Sequence, residues 1–573
     1  MNYVPINGLR MLAIEASILF ATAVLSFVLF RFLRWSVRRP RWLEAVLSNN
    51  IRAVMLVIAV ALVGRALLLP WVGIPEPRID DEYSNLLMAD TFAHFRLANP
   101  TPAAWKHFET FHVNMVPTYH SKYPVAQGLA LGIGEIVFHR PWIGVYFSTA
   151  LLCGAICWTL QAFVPPAWAL LGGLLAVFRL ALFSYWMNSY WGGSMAALGG
   201  ALALGAVVRI FAQEQSPKHR AALVSTFATA LLLLANSRPY EGFAFALPLI
   251  VYFAYKLARA LLRHELTFAS TAGPLIVIGL AGMMLMGYYN RRTTGNALLL
   301  PHLLNERVYS PLPLFLWQKS KSDMTFHDAV FAKFFQVTEQ EYGYEKTKSF
   351  SGIFDIESSR LATNWFFYCG VALSLPVLIG ILSACKQKRF RIVILVVAST
   401  AIALGLCTYT MFHYAAPLTV TVYIFAAEGL RYLWDHRAFG ERAFAVAVCV
   451  AVVVTALARQ TGSAAVNSAF ALPDTRTLVA RQLEMLPGKH LVLVTYDLDR
   501  HYPGDELVHN WADFSSQKIL WARSKGAGND SDLCSAYSDR TFWSVSTDDI
   551  HYSLTPFALC NSPTPAPPLR NPL

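Results

Sequence analysis

The sequence predicts an all-α polytopic membrane protein of about 12 transmembrane helices, with a re-entrant or interfacial segment and a small soluble α/β domain at the C-terminal end. Three observations predict it. Of 573 residues, 55% are hydrophobic and only 14% are charged, whereas a soluble chain carries about a quarter charged residues. Apolar runs of about 20 residues recur along the chain, the length that crosses a hydrocarbon core. The clearest basic segments are short loops between those runs, the pattern of a cytoplasmic membrane face. The net charge of +12 belongs first to those loops, so no nucleic-acid partner is expected.

Spans are expected at roughly 11–31, 52–72, 141–162, 167–187, 193–212, 221–236, 242–258, 268–289, 364–384, 392–411, 417–434 and 443–459. The first run ends in a basic stop, RFLRWSVRRPR, so a retained span rather than a cleaved leader is expected there. The stretch 124–138 is apolar but short. The basic loops at 31–41, 215–220, 256–265, 385–391 and 435–442 share one side only if 124–138 does not cross. It begins KYPVAQG, with Pro124 and Gly128, which suits a dip against protein or a cavity. The expected domains are 1–459, transmembrane with outer loops 73–123 and 290–363, and 460–573, a small extracytoplasmic α/β unit.

In that tail, HLVLVTY follows a Pro-Gly turn, and QKILWAR and RTFWSVS read as two further strands. The tail ends in a Pro-rich stretch, PTPAPPLRNPL, and holds no phosphate loop or catalytic signature. A structural or substrate-gating role is expected of it. Cys153, Cys157, Cys369, Cys407 and Cys449 lie in or beside apolar runs and read as core, while Cys385 sits at a basic loop. Cys534 and Cys560 lie in the polar tail, where an oxidising compartment would allow a disulfide.

The stretch RIDDEYSNLLMAD, Arg78 to Asp90, sets three acids where the second span ends. Leu86, Leu87, Ala89, Phe92, Ala93 and Phe95 follow at helical spacing, as in an amphipathic helix at the membrane surface. Acids at such a helix start also suit its dipole. Beyond it, WKHFETFHVNMVPTYHSKYP gathers His107, Glu109, His112, His120 and Lys122 in a chain poor in titratable groups.

This layout resembles the polytopic GT-C glycosyltransferases, especially the bacterial aminoarabinose transferase and protein O-mannosyltransferase branch. Asp81-Glu82-Tyr83 matches that family's acidic motif, and Lys122-Tyr123-Pro124-Val125 is a degenerate form of its second motif. The resemblance covers roughly residues 52–300. It implies a hexosyl- or pentosyltransferase using a polyprenyl-phosphate sugar donor, at the outer boundary of a bacterial inner membrane. The acceptor is an unspecified glycan, lipid or protein. An inverting transfer needs a base near the acceptor, and a carboxylate suits it. Asp81 is the first choice by register, Asp80 the second, and Glu82 an orienting group. Lys122 matches the family's phosphate-contacting lysine. Arg238, Arg291 and Arg292 are further cations for the leaving phosphate, set against pairing of Arg238 with Glu241 and snorkelling of the other two.

Many family members carry a second acid in the next outer turn. Here that turn is MNSYWGGSM, which has none. Tyr190 and Trp191 could stack on a sugar, with Gly192 and Gly193 permitting close approach, though an interfacial aromatic belt fits as well. Tyr83, Glu109, His120, Glu241 and His413 are further candidates for sugar or acceptor contacts. His107, Glu109 and His112 are the residues a divalent metal would use, but their spacing does not fit one helical face, and zinc wants three or four converging ligands. The alternative is a polytopic transporter or lipid flippase, whose mark would be charges deep in spans. Arg65 and Arg179 do lie within apolar runs, and Arg179 has no evident partner in the sequence.

Overall fold

The structure is a computed structural model. It describes all residues except 1–4, 33–39, 213–215, 264–267, 322–323, 336–343, 409, 437–438, 470–474, 502–505, 549–550, 558–559 and 561–573. The Pro-rich tail and most of the first basic loop lie outside the described residues. Two compact units emerge: one from Met1–Pro75, Val145–Met283 and Ser349–Ala465, the other from Glu76–Gly144, Met284–Lys348 and Val466–Leu573.

Among the described residues, six helices are long and apolar enough to cross a membrane: Arg10–Phe32, Asn50–Leu67, Trp142–Leu160, Pro239–Leu262, Gly273–Thr294 and Gly440–Ala458. The chain is an integral, multi-pass membrane protein. Shorter helices occupy other expected spans, among them Pro166–Ala181, Ser194–Ile210, Arg391–Gly405 and Thr419–Asp435.

The expected span 364–384 is not one straight helix. Phe350–Tyr368 and Gly370–Cys385 meet at 101°. Gly370 turns the corner at φ +58, a region costly for any residue with a Cβ. Breaking a helix in an apolar setting strands backbone groups. Here Arg179 donates from Nε to the Phe367 carbonyl at 3.0 Å and from Nη2 to the Phe366 carbonyl, closing the first half. Glu15 accepts from the Val371 amide at 2.8 Å, opening the second half. The two side chains pair at 3.3 Å. Arg179 thus has a partner after all, supplied by the first span. Arg65 is likewise engaged: it donates to Asn188 Oδ1 at 2.9 Å and to the Gly73 carbonyl at 2.6 Å.

The second unit holds a four-stranded sheet in the order β4-β3-β5-β6. Its strands are β3 (Lys489–Tyr496), β4 (Ile519–Arg523), β5 (Arg540–Thr547) and β6 (Tyr552–Pro556), after the small hairpin β1 (Val113–Asn114) and β2 (His120–Ser121). β3 pairs parallel with β4 and β5, and β6 closes the edge antiparallel. A parallel sheet needs both faces covered. Leu491, Leu493, Leu520 and Phe542 face a core with Leu87, Phe108, Val113 and Tyr119. Val492, Val494, Trp521 and Trp543 face another with Phe111, Tyr309, Val330 and Phe331. The alternation of the strands therefore sorts residues of the segments 76–144 and 284–348 onto two faces. Cys534 and Cys560 form a disulfide.

Within this unit, helix Asp80–Ala93 packs on helix Val125–Phe138. A Cβ on Gly128 would fall 2.3 Å from Met88 Sδ, so glycine sets that approach. Val125–Phe138 is unbroken, and its 14 residues span about 21 Å, short of a hydrocarbon core of about 30 Å. Its other side exposes Leu129, Ile133, Val137 and Phe138.

Candidate functional site

The acidic helix begins at Asp80. Glu82 folds back to accept from the Arg78 amide at 2.8 Å and the Ile79 amide at 3.4 Å, satisfying donors that a helix start leaves open. Glu82 is buried at 4% exposure. The helix is not the bare surface helix expected from its pattern. Ser84 through Ala89 and Thr91 are all buried: Met88 and Ala89 lie against Gly128 and Gly132 of the neighbouring helix, Ser84 donates to the His112 carbonyl, and Asp90 accepts from the Ala512 amide.

Asp80 and Asp81 diverge. Asp80 is buried, with Oδ1 3.2 Å from His509 Nε2. Asp81 keeps a quarter of its side chain exposed. Tyr123 donates its hydroxyl to Asp81 Oδ1, and His112 Nε2 lies 3.7 Å from Oδ2. Burial first, and then the Lys122 charge, push the His112 imidazole down to about 3, against the pull of Asp81. It stays neutral near pH 7, so it shapes the carboxylate's surroundings without adding a charge. His112 also takes a left-handed backbone at φ +63, and its carbonyl accepts from Ser84 Oγ at 2.7 Å and the Lys122 amide at 3.0 Å. The hairpin is thereby tied to the acidic helix.

Lys122 and Tyr123 are adjacent, yet they serve different partners. Tyr123 reaches Asp81, while Lys122 Nζ lies 3.8 Å from Glu306 Oε1. Glu306 belongs to helix Pro301–Val308. Asn114 and Asn305 fasten that helix to the hairpin: Asn114 donates to the Pro301 carbonyl at 3.0 Å, and Asn305 to Asn114 Oδ1 at 3.1 Å.

Tyr83 stacks on His509, ring centroids 4.0 Å apart and nearly parallel, with the Arg476 guanidinium 5.3 Å from its ring. Burial, helped by Arg476, pushes His509 well below the ordinary histidine range. A small cavity lined by Tyr83, Thr110, Tyr119, Arg476 and His509 adjoins them.

Several expected contacts turn inward. Glu109 is 2% exposed; it accepts from Tyr309 at 3.0 Å and lies 3.1 Å from His327 Nδ1. His120 is equally buried, lies 3.1 Å from Asn114 Nδ2, and burial pushes it down to about 4. His107 faces the Arg523 carbonyl at 3.0 Å and Asp530 at 3.7 Å. His107, Glu109 and His112 thus face three separate sets of partners and do not converge as metal ligands. Among the described residues, no group of three or more His, Cys, Asp or Glu side chains is placed to hold a metal ion. Arg291 and Arg292 are exposed at the end of Gly273–Thr294.

In the first unit, Tyr190 is 7% exposed and donates to the Pro75 carbonyl at 2.8 Å. Trp191 packs edge-on to His413 at 4.5 Å, and Tyr185 Oη lies 3.3 Å from His413 Nδ1. Gly193 makes room for Trp186 and Ala416: a Cβ there would lie 2.6 Å from each. The Arg238 guanidinium lies 4.2 Å from the Tyr414 ring, and Glu241 is buried.

Sequence reasoning passed over Tyr123, Glu306, Arg476 and His509. Tyr123 stood inside a quoted motif and could have been found by asking which hydroxyl the acid would meet. The other three come from distant segments, and no local pattern marks them.

No family model matches the chain, and no curated protein does. Solved structures are similar in fold. The Archaeoglobus fulgidus oligosaccharyltransferase, in its complex with Zn and sulfate, is 12% identical over 86% of this chain and 67% of its own, at a TM-score of 0.46. ArnT from Cupriavidus metallidurans, bound to undecaprenyl phosphate, is 12% identical over 86% of this chain and 93% of its own, at 0.48. AglB from A. fulgidus, with an inhibitory peptide and a dolichol-phosphate, is 12% identical over 87% and 69%, at 0.41.

Proposed function

We propose that the chain is a membrane glycosyltransferase of the GT-C type. It moves a hexosyl or pentosyl group from a polyprenyl-phosphate donor to a glycan, lipid or protein acceptor, with Asp81 as the base. The proposed setting is a bacterial inner membrane, with twelve spans, both termini outside and the acidic helix facing the periplasm. One observation carries the proposal. The partly exposed carboxylate of Asp81 and the ammonium of Lys122 are organised by one hairpin end, through the adjacent residues Lys122 and Tyr123.

The chemistry needs both. The acceptor O–H or N–H gives its proton to Asp81 as its oxygen or nitrogen bonds to the anomeric carbon. The carbon–oxygen bond to phosphate breaks, and the electron pair leaves on the phosphate oxygen. Lys122 faces that growing charge. Arg291 and Arg292 are further candidate cations from the same unit. Asp80, buried against His509, is the weaker candidate base. A transporter would use the charges buried among the spans, but Glu15, Arg65 and Arg179 hold backbone groups.

The test is transfer of radiolabelled sugar from a panel of polyprenyl-phosphate sugars by the purified protein. Asp81→Asn should lower transfer about 100-fold or more, and Asp80→Asn much less. The reverse pattern would pass the base role to Asp80. A folded wild type that neither transfers from nor binds any donor would favour the transporter or flippase.

A further inference from the structure

We infer that Glu306 is a built-in competitor of the lipid phosphate for Lys122; this rests on the function proposed above. Glu306 Oε1 lies 3.8 Å from Lys122 Nζ, and both side chains are about 85% covered, at 15% and 16% exposure. With both groups screened that far from water, taking one partner away leaves the other charge uncompensated, which costs more than at the surface. The other carboxylate oxygen, Oε2, is buried and accepts no hydrogen bond among the described residues. Half of the Glu306 carboxylate is therefore unsatisfied while it faces Lys122, the cost expected of a buried acceptor without a donor.

The position of Glu306 is built, not incidental. The Asn114 and Asn305 bonds fix its helix on the hairpin, and Lys321 Nζ donates to the Glu306 carbonyl at 2.8 Å. The hydroxyl of Thr118, in the same hairpin, donates to the Thr293 carbonyl at 2.7 Å. Helix Pro301–Val308 thus delivers a carboxylate to the one lysine of the proposed phosphate site that the hairpin holds by its backbone.

A phosphate that uses Lys122 must displace this carboxylate. The displacement weakens binding of every lipid phosphate. It acts most usefully on the product: a polyprenyl monophosphate carries more charge than the donor's phosphodiester and would otherwise hold Lys122 more tightly. Glu306 returning to Lys122 clears the site for the next donor.

The experiment is equilibrium binding of undecaprenyl phosphate to the full-length protein in detergent, for the wild type, Glu306→Gln, Lys122→Met and the double variant. Glu306→Gln should bind about 3- to 10-fold tighter. In the Lys122→Met background the same substitution should change binding little, because the competitor acts through Lys122. Glu306→Asp, one methylene shorter, should also bind tighter and serves if the Gln variant fails to fold. An inorganic phosphate arm separates the anion from its lipid: the same ordering of variants places the competition on the anion itself. Lys122-dependent binding that is unchanged or weakened by removing Glu306 overturns the inference alone. A gain of equal size with and without Lys122 also overturns it, because Glu306 would then act as a general repulsive charge. Absence of Lys122-dependent binding in every variant overturns both the inference and the function beneath it.

Discussion

At the scale of single residues, neighbouring acids take opposite surroundings because successive helix positions are rotated by about 100°. Asp80 turns toward His509 and Asp81 toward Tyr123. What separates them is therefore geometry rather than chemistry. The Tyr123 hydroxyl fixes one oxygen of Asp81 and leaves the other near a neutral His112. If Asp81 is the base, Tyr123→Phe should lower kcat about tenfold with a smaller change in KM, since the lost bond aims the carboxylate rather than holding substrate. Steady-state kinetics of sugar transfer would check this, and an unchanged kcat would reduce Tyr123 to packing. Asp81 and Lys122 could be put forward from the sequence because each stands in a short motif. Tyr123 stands in the same motif as Lys122 and was passed over because its hydroxyl meets Asp81, 42 residues away, only through the fold. Glu109 and His120 misled for the opposite reason: titratable types in a loop suggest a surface, but here both are buried.

At the scale of elements, hydropathy located the helices well and their breaks poorly. The window 364–384 is apolar apart from Asn364, Ser374 and Ser383, and a glycine in such a run does not by itself mark the corner at Gly370. The corner is legible only once Glu15 and Arg179, more than 150 residues apart, are seen closing its two ends. Gly370→Ala should therefore destabilise the fold. A Cβ there would lie 2.6 Å from Glu15 Oε2 and 2.9 Å from Arg179 Nη1, at a φ of +58. The expected cost is about 1–3 kcal/mol, read as a lower midpoint of thermal unfolding in detergent. Arg179→Met should cost more, about 3–5 kcal/mol, because it leaves Glu15 buried without its cation. A wild-type midpoint in both variants would mean that the corner holds without these caps. The strands of the tail, by contrast, were legible: HLVLVTY, QKILWAR and RTFWSVS contain or overlap β3, β4 and β5. Their apolar alternation is the two-faced burial of a covered sheet.

At the scale of the whole molecule, the second unit is assembled from three stretches of chain, 76–144, 284–348 and 466–573. Each alone reads as a loop or a tail, so the cores they share were not legible in any one of them. That assembly buries histidines. Burial is the leading cause that lowers His112 to about 3, His120 to about 4 and His509 well below its ordinary range. In the unfolded chain each titrates near 6.5. Between about pH 6.5 and these lower values the unfolded state binds protons that the folded state refuses, so stability falls as pH falls. The contribution is complete above about pH 6.5 and is lost progressively through pH 5 toward 4 and 3. The paired carboxylate of Asp328, held below its usual range against its own burial chiefly by the Arg523 and Lys525 charges, adds to the loss only at the acid end. The thermal midpoint should therefore drop by about 5 °C or more from pH 7.5 to pH 5.5, followed by near-ultraviolet circular dichroism in detergent. His120→Gln, which cannot take up a proton, should flatten that slope even where it lowers the midpoint itself. A midpoint that holds or rises on acidification would mean that these histidines are charged in the folded protein. The buried arrangement around His112 and Asp81 would then have to be redrawn.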